Sequence, residues 1–294
     1  MSEFHVREAP TSSSPNASSP RVKPSPKASR IPGSYFYAAS DDGTDENLLI
    51  LLHGLGDTEL PFSKLGKSLK LPQTAVLALR APEQVPFLYE AAYQWYTSFD
   101  DLGEMLTRPN PTPALQVLSK VIDHLMKDCA WTVSRIHLFG FAQGGSVAAE
   151  FGIDWWKTQL QNPRAIASVD KEDTVKEPEG TGPDVDQSAP PLHSFGSITT
   201  ISGPLLSYPT ISTLCPTPVL VAHRSPPAET ALPAGAVNAF KKAYQSVTEA
   251  KLGPKPEGMP GSKQEWEPIM RFWSQHLSRR PIEGLYEVMT GLST

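Results

Sequence analysis

Residues 136–145, with the sequence IHLFGFAQGG, decide how this chain folds. The run from Ile136 to Phe141 is short and mostly apolar, which is typical of a strand buried on both faces. Glycines on both sides of Ala142 permit a crowded backbone, so this stretch predicts a sharp turn from a strand into a helix. In an open parallel sheet such a turn lies at the carboxyl edge, where ligands bind. Residue 142 is therefore the first position to consider for function.

The rest of the chain repeats the alternation of strand and helix. Apolar runs predict further buried strands at residues 48–52, 75–79, 198–201 and 219–221. Apolar residues at helical spacing predict helices in four regions, namely 62–69, 115–129, 237–247 and 266–277. These patterns together predict an α/β fold with a mostly parallel central sheet, covered by helices on both faces.

Composition divides the 294 residues into one domain and two irregular segments. Residues 1–32 are rich in serine and proline and poor in apolar side chains, so we expect a disordered tail followed by one domain over residues 33–294. Within that domain, an acidic stretch at about 161–192 is expected to be a disordered insertion. The tail contains three Ser-Pro pairs, which are either solvated chain or sites of proline-directed phosphorylation, at Ser14, Ser19 and Ser25.

Charge and apolar content exclude several classes of protein. The net charge of −5 offers no basic field to a phosphate backbone, so no nucleic-acid partner is expected. No apolar run is long enough to cross a membrane, and no signal segment begins the chain, so we expect a protein of the cytoplasm or nucleus. Cys129 and Cys215 have neither a disulfide pattern nor the spacing of metal ligands. No metal or other cofactor is predicted.

A second glycine-rich turn follows the strand at 48–52. In a turn of the nucleophile-elbow type, the backbone amide after the nucleophile and one amide from the first strand's loop form an oxyanion hole. Here those amides belong to Gln143 and Leu55. Other residues of these turns and of neighbouring strand ends are candidates to line a pocket: His53, Gly54, Gly56, Asp57, Trp95, Gly144, Gly145 and His223.

The two turns, HGLGD at 53–57 and GFAQGG at 140–145, resemble those of the acyl-protein thioesterase, carboxylesterase and lysophospholipase family of α/β-hydrolases. The resemblance covers roughly residues 46–280 and implies an α/β-hydrolase fold and a Ser-His-Asp triad. At the three positions that the family uses, however, this chain has Ala142 for the serine, Pro227 for the aspartate and Gly261 for the histidine. A shift of one residue would place Pro260 at the histidine position. None of these side chains can perform its step of the triad chemistry.

These departures predict a pseudoenzyme that binds an acyl or peptide ligand or regulates another protein. One alternative is an active ester or thioester hydrolase with a displaced nucleophile, such as Ser146, and with His223 and Glu229 as a replacement base and its partner. Cys215 is expected to be a buried residue. The other alternative is an interaction scaffold that binds a protein partner through its tail or acidic insertion. The pair Trp155-Trp156 is either core packing or an exposed anchor for such a partner.

Overall fold

The computed structural model describes residues 5–8, 22–86, 91–100, 102–161, 192–254, 258–280 and 286–289. The predicted acidic insertion, apart from its two end residues, lies outside these ranges, and so does the predicted tail before residue 22 except for 5–8. Ser14 and Ser19 are outside the described residues as well. The central α/β part of the chain is described almost throughout.

Strands and helices alternate along the chain. Their order is β1 (His5–Glu8), β2 (Tyr35–Ala38), β3 (Asn47–Leu52), α1 (Glu59–Ser68), β4 (Thr74–Leu79), β5 (Glu83–Gln84), β6 (Tyr93–Gln94), α2 (Thr112–Asp128), β7 (Ile136–Phe141), α3 (Gln143–Gln161), β8 (Ser197–Ile201), β9 (Val219–His223), α4 (Ala236–Ala243), β10 (Val247–Lys251), α5 (Lys263–His276) and β11 (Tyr286–Met289). Seven strands form the central sheet in the order β10-β9-β8-β7-β3-β4-β2. All neighbours in it are parallel except β2 and β4. The predicted mostly parallel sheet is confirmed.

Two apolar layers cover this sheet because successive residues of a strand point to opposite faces. In β3, Leu48, Ile50 and Leu52 pack in the layer that contains the apolar residues of α2 and α3. Leu49 and Leu51 pack in the other layer, with those of α1 and α5. All six residues of β3 are buried, as are all six of β4. The continuous apolar runs in the sequence therefore come from burial on both faces.

One helix is shorter than the apolar spacing predicted. Helix α4 ends at Ala243, and Val247 begins β10, which pairs in parallel with β9 at an edge of the sheet. Val247 continues the helical spacing of Phe240 and Tyr244 by coincidence, and pairing with a neighbouring strand overrides that spacing. The antiparallel edge strand β2 was not predicted either, and its four residues, Tyr35–Ala38, are apolar or aromatic but only partly buried.

Residues 22–31, here called the N-terminal strap, pack against the domain. The backbone N–H of Lys23 donates to Asp45 Oδ2 at 2.9 Å, and that of Lys27 donates to His124 Nε2 at 3.0 Å. Ile31 is only 3% exposed and belongs to the α2–α3 layer. The prediction that the disordered tail extends to residue 32 is therefore corrected: residues 22–32 pack on the domain. A few hydrogen bonds and the buried side chain of Ile31 hold this segment on the domain. Such isolated contacts do not produce the regular spacing of apolar residues that predicts a helix or a strand.

The contribution of the strap to stability can be measured at Ile31. Replacing this buried side chain in Ile31→Ala removes apolar contacts and leaves a cavity, which is expected to lower the free energy of unfolding by about 2–5 kcal/mol. Val22, 49% exposed at the other end of the strap, supplies the matched control Val22→Ala. Urea denaturation of both variants tests this. Equal stability of the two would show that the strap is not part of the folded domain.

Candidate functional site

The turn from β7 into α3 has the geometry of a nucleophile elbow. Ala142 occupies it with a φ of +47°, a left-handed conformation that is uncommon for residues other than glycine. Its N–H donates to Ile201 O at 2.8 Å, and its carbonyl accepts the N–H of Ser146 at 3.0 Å. The strained residue is therefore held from both sides, by the neighbouring strand β8 and by the first turn of α3.

Close backbone contact explains the glycines around Ala142. A Cβ added to Gly140 would lie 2.2 Å from the backbone of Gly144. One added to Gly144 would lie 2.3 Å from Leu52 O, and one added to Gly145 would lie 2.4 Å from Thr200 Oγ1. Gly144 and Gly145 were predicted to line a pocket. They are instead buried contacts between α3 and the adjoining strand ends.

The two backbone amides predicted to form an oxyanion hole belong to elements that touch. A Cβ on Gly54 would lie 2.9 Å from Phe141 Cδ1, so the loop after β3 lies directly against the end of β7. The N–H groups of Leu55 and Gln143 have no hydrogen-bond partner among the described residues. Leu55 is also 40% exposed, at the carboxyl edge of the sheet. The oxyanion-hole role of these two amides stays a prediction.

His53 is a structural residue of the same loop. Its Nδ1 lies 2.7 Å from Gly54 O, and its Nε2 accepts the backbone N–H of Ala81 at 2.9 Å. Since a carbonyl only accepts, Nδ1 carries the proton and the ring is neutral. Burial is the largest cause of a lowered pKa of His53, and the lowered pKa favours the neutral ring. The expectation that His53 and Trp95 line a pocket is corrected: both are fully buried, and Trp95 Nε1 donates to His53 O at 2.8 Å.

The side chain of Gln143 connects the elbow to the chain after β6. Its Oε1 accepts the N–H of Trp95 at 2.9 Å. Its Nε2 donates to Tyr96 O at 3.0 Å and to Ser98 Oγ at 2.7 Å. Sequence reasoning considered only the backbone amide of Gln143 and missed this role. A glutamine directly after the elbow position, at the start of a helix, is the signal that could have pointed to it.

Gly56 and Asp57 brace the first loop rather than meet at the elbow. Gly56 has a φ of +81°, and its N–H donates to Tyr93 O at 2.9 Å. Asp57 forms an isolated β-bridge with Tyr93, and its Oδ1 accepts the N–H of Thr58 at 2.8 Å. These contacts attach the loop after β3 to β6. The N-cap of α1 is Thr58, directly after Asp57, and its side chain accepts the N–H of Leu60.

A buried ion pair joins the two loops that hold the family's acid and base positions. Arg224, directly after β9, is 1% exposed, and its Nη1 donates to Glu265 Oε1 at 2.7 Å. Glu265, in the first turn of α5, also accepts the N–H of Gly261 at 2.8 Å. Pro227 lines a cavity of about 440 Å³ next to these loops. The link between the loops is therefore guanidinium to carboxylate, where a triad would have imidazole to carboxylate.

Backbone carbonyls complete the surroundings of Arg224. Its guanidinium donates to Gly253 O at 2.6 Å, to Met259 O at 3.3 Å and to Gly258 O at 3.4 Å. Neither Arg224 nor Glu265 was identified from the sequence. Ser262 and Glu265 do have the spacing of a helix-capping box, and Ser262 Oγ accepts the N–H of Glu265 at 3.3 Å. That spacing could have predicted the start of α5, but it could not have predicted that Glu265 pairs with Arg224.

His223 is paired, but not with the predicted residue. Its Nε2 lies 3.0 Å from Glu249 Oε1 on β10, whereas Glu229 was expected to be its partner. The hydrogen bond to His223 is the main cause that lowers the pKa of Glu249. The pair lies at the edge of the sheet, and β8 separates β9 from β7. His223 therefore belongs to the sheet edge, two strands away from the elbow.

The other residues weighed as nucleophile or anchor are buried. Ser146 is 0% exposed. Burial raises the pKa of the neighbouring Tyr96 to about 12, so its phenol keeps its proton and cannot act as a base for the Ser146 hydroxyl. Burial also raises the pKa of the Cys215 thiol, as expected of an unreactive cysteine. Trp155 and Trp156 donate their indole N–H groups to His193 O and Thr213 O, both at 3.0 Å. Both are core residues, which corrects the alternative of an exposed anchor.

The described residues contain no group of three histidine, cysteine, aspartate or glutamate side chains that could hold a metal ion. Within those residues, no helix combines the length and apolar character needed to cross a bilayer.

Breaking the buried ion pair should destabilise the fold strongly. Glu265→Gln leaves the Arg224 charge buried without a counter-charge, so we expect the free energy of unfolding to fall by about 3–5 kcal/mol. Glu267, on the same helix, pairs at 2.7 Å with Arg271, but both side chains are exposed. The control Glu267→Gln should change stability by about 0.5 kcal/mol or less. Denaturant titration compares the two, and similar losses would mean that the Arg224–Glu265 pair is not needed.

Comparisons with known proteins agree with this architecture. Residues 35–161 match the model of the phospholipase/carboxylesterase family. An uncharacterized hydrolase of Mycosarcoma maydis is 38% identical over 251 residues, which are 84% of this chain and 82% of the relative. In fold, the chain is similar to esterase PE8, with a TM-score of 0.59 and 17% identity over 84% of this chain and 100% of that one. It is also similar to acyl-protein thioesterase 2 of Zea mays, with a TM-score of 0.56, 16% identity and the same coverage. The chain therefore belongs to the phospholipase/carboxylesterase family of α/β-hydrolases.

Proposed function

We propose that this protein is a catalytically inactive member of its family, which binds a ligand instead of hydrolysing it. The observation that carries the proposal is Ala142 at the centre of an intact elbow. Serine hydrolases begin by attack of a hydroxyl oxygen on the carbonyl carbon, and a methyl group has no electron pair to donate. Loss of the nucleophile alone costs about 10⁶ in turnover, so the oxyanion hole could supply only a small residual rate.

The arrangement of the other two loops supports the proposal. The resemblance to the family implies that the general base would come from the loop before α5, at Gly261, and its orienting acid from the loop after β9, at Pro227. Arg224 and Glu265 join these loops, and their charged groups are already paired with each other. Gly261 offers only a backbone N–H, which Glu265 accepts. The charged groups of these loops thus stabilise the contact between the loops.

Binding at the elbow would use the two backbone amides. Leu55 N–H and Gln143 N–H need no particular side chain, so loss of the triad leaves them in place. Backbone N–H groups at the start of a helix favour acceptors with negative or partial negative charge. We propose that they bind the carbonyl or carboxylate of an acyl ligand. Regulation of another protein would follow from that binding, since no bond of the ligand is broken.

Catalytic inactivity is testable by labelling and by kinetics. Wild type is expected to remain unlabelled by a fluorophosphonate and to hydrolyse p-nitrophenyl esters at the background rate. Ala142→Ser alone should stay near background, because its hydroxyl has no adjacent base. Adding Gly261→His and then Pro227→Asp should raise the rate in steps, since the triad acts as a unit.

Two outcomes of these assays would contradict the proposal. Ester hydrolysis by wild type that Ser146→Ala abolishes would identify a displaced nucleophile. Turnover by Ala142→Ser at rates ordinary for serine esterases would reveal an unrecognised base, and His223→Ala would then be the first variant to examine.

Ligand binding is testable by thermal shift with fatty acids and acyl thioesters. A ligand present at 100 times its Kd should stabilise the fold by about 2.7 kcal/mol. Leu55→Ala retains the backbone N–H, whereas Leu55→Pro removes it, so stabilisation should persist in the first variant and vanish in the second. The melting temperature without ligand shows whether each variant folds. No response of wild type across the panel, or equal responses of both variants, would refute binding through this amide.

A further inference from the structure

Residues 98–100 and 102–106, here called the acidic turn, hold large apolar side chains in solvent. Leu102 is 86% exposed and Met105 is 76% exposed, the two highest values among large apolar side chains in the described residues. Phe99, at 44%, lies opposite Met105 in an isolated β-bridge. Single exposed apolar residues are ordinary on a protein surface, but three on one tight turn indicate a binding surface.

Hydrogen bonds make this turn a defined structure. Asp100 Oδ1 accepts the N–H of Leu102 at 2.9 Å and that of Glu104 at 2.8 Å. The N–H of Gly103 donates to Asp100 O at 3.0 Å, and Gly103 has a φ of +80°. The N–H of Leu106 closes the turn by donating to Ser98 O at 2.8 Å. These hydrogen bonds restrain the backbone of residues 98–100 and 102–106, which lowers the cost of ordering the apolar side chains when a partner binds.

The acidic turn is also anchored to the rest of the molecule. Gln143 Nε2 donates to Ser98 Oγ at 2.7 Å and to Tyr96 O at 3.0 Å, which attaches the base of the turn to the start of α3. Gln143 is 6% exposed, so this anchor is buried. The turn therefore projects from the carboxyl edge of the sheet.

Charge selects the occupant. Asp100 and Glu104 are exposed beside the apolar side chains, Asp101 adds a third carboxylate in the sequence, and no lysine or arginine occurs between residues 97 and 107. An anionic membrane attracts basic segments rather than acidic ones, and carboxylates between apolar groups are costly to desolvate. A second copy of this chain would bring an identical acidic turn to a symmetric contact. Both occupants are therefore disfavoured.

We propose that the acidic turn is a docking surface for a protein segment that carries an apolar face flanked by lysine or arginine. The apolar face would cover Leu102 and Met105, and the cations would pair with Glu104 and its neighbouring carboxylates. This interaction goes beyond the acyl ligand proposed for the elbow. Its test is made without any acyl compound, so the two proposals can fail independently.

The test uses the full-length protein and a synthetic helix of about 18 leucine and lysine residues, with the leucines on one face. Fluorescence anisotropy of the labelled peptide measures binding. The double variant Leu102→Ser with Met105→Ser should weaken binding by about tenfold or more. Glu104→Gln should weaken it less and reduce its dependence on salt. The matched control is Leu60→Ser, whose side chain is 58% exposed on α1, and it should bind as wild type does.

Four results would overturn the proposal. The first is unchanged binding by the double variant. The second is equal binding of a helix in which glutamate replaces every lysine, since that would remove the role of charge. The third is binding of wild type to phosphatidylcholine or phosphatidylserine vesicles that the double variant loses, which would make a lipid surface the occupant. The fourth is self-association of wild type, measured by sedimentation, that the double variant abolishes.

Discussion

Close backbone packing between β7, α3 and the end of β3 is the constraint on which this structure depends. Gly140 and Gly144 have no room for a Cβ because each faces backbone atoms at about 2 Å from where that carbon would lie. This contact fixes the start of α3 over the carboxyl edge of the sheet. It also forces the left-handed conformation of Ala142, whose cost of about 1–3 kcal/mol the surrounding packing must offset. The elbow thus persists as part of the core, although its central residue has no reactive group.

The ion pair of Arg224 and Glu265 has a different energetic character. Removing both charges from water costs several kcal/mol per ion, which their attraction and the surrounding hydrogen bonds must recover. Arg224 meets this requirement with Glu265 and three backbone carbonyls. The pair therefore gives no assurance of a large net gain in stability. What it does specify is the relative position of the loop after β9 and the start of α5, because the hydrogen bonds of Arg224 and Glu265 hold these two elements together.

Gln143 connects the two surfaces for which binding is proposed. Its backbone N–H faces the elbow, and its side chain holds the chain from Trp95 to Ser98, at the base of the acidic turn. A change in the shape of the elbow would therefore also move the base of the acidic turn.

Local patterns in the sequence determined the sheet and the elbow, whereas the assignment of Ala142, Pro227 and Gly261 to triad positions came from the resemblance to the family and stays a prediction. The strands at 48–52, 75–79 and 136–141 could be predicted because burial on both faces requires a continuous apolar run, which is visible in the residues themselves. The turn at Ala142 could be predicted because crowded backbone requires glycine at fixed offsets. These features depend on residues that are neighbours in the chain.

Only the tertiary structure decided which side chains meet. Arg224 and Glu265 are 41 residues apart, and Lys27 and His124 are 97 apart, so neither pairing leaves a pattern in the sequence. His53 and Trp95 were expected to line a pocket, yet contacts with Ala81 and with each other bury them. Val247 looked helical until pairing with β9 made it a strand. In each case the deciding contact joins residues that come together only when the chain folds, and its free energy exceeds the local preference that the sequence expresses.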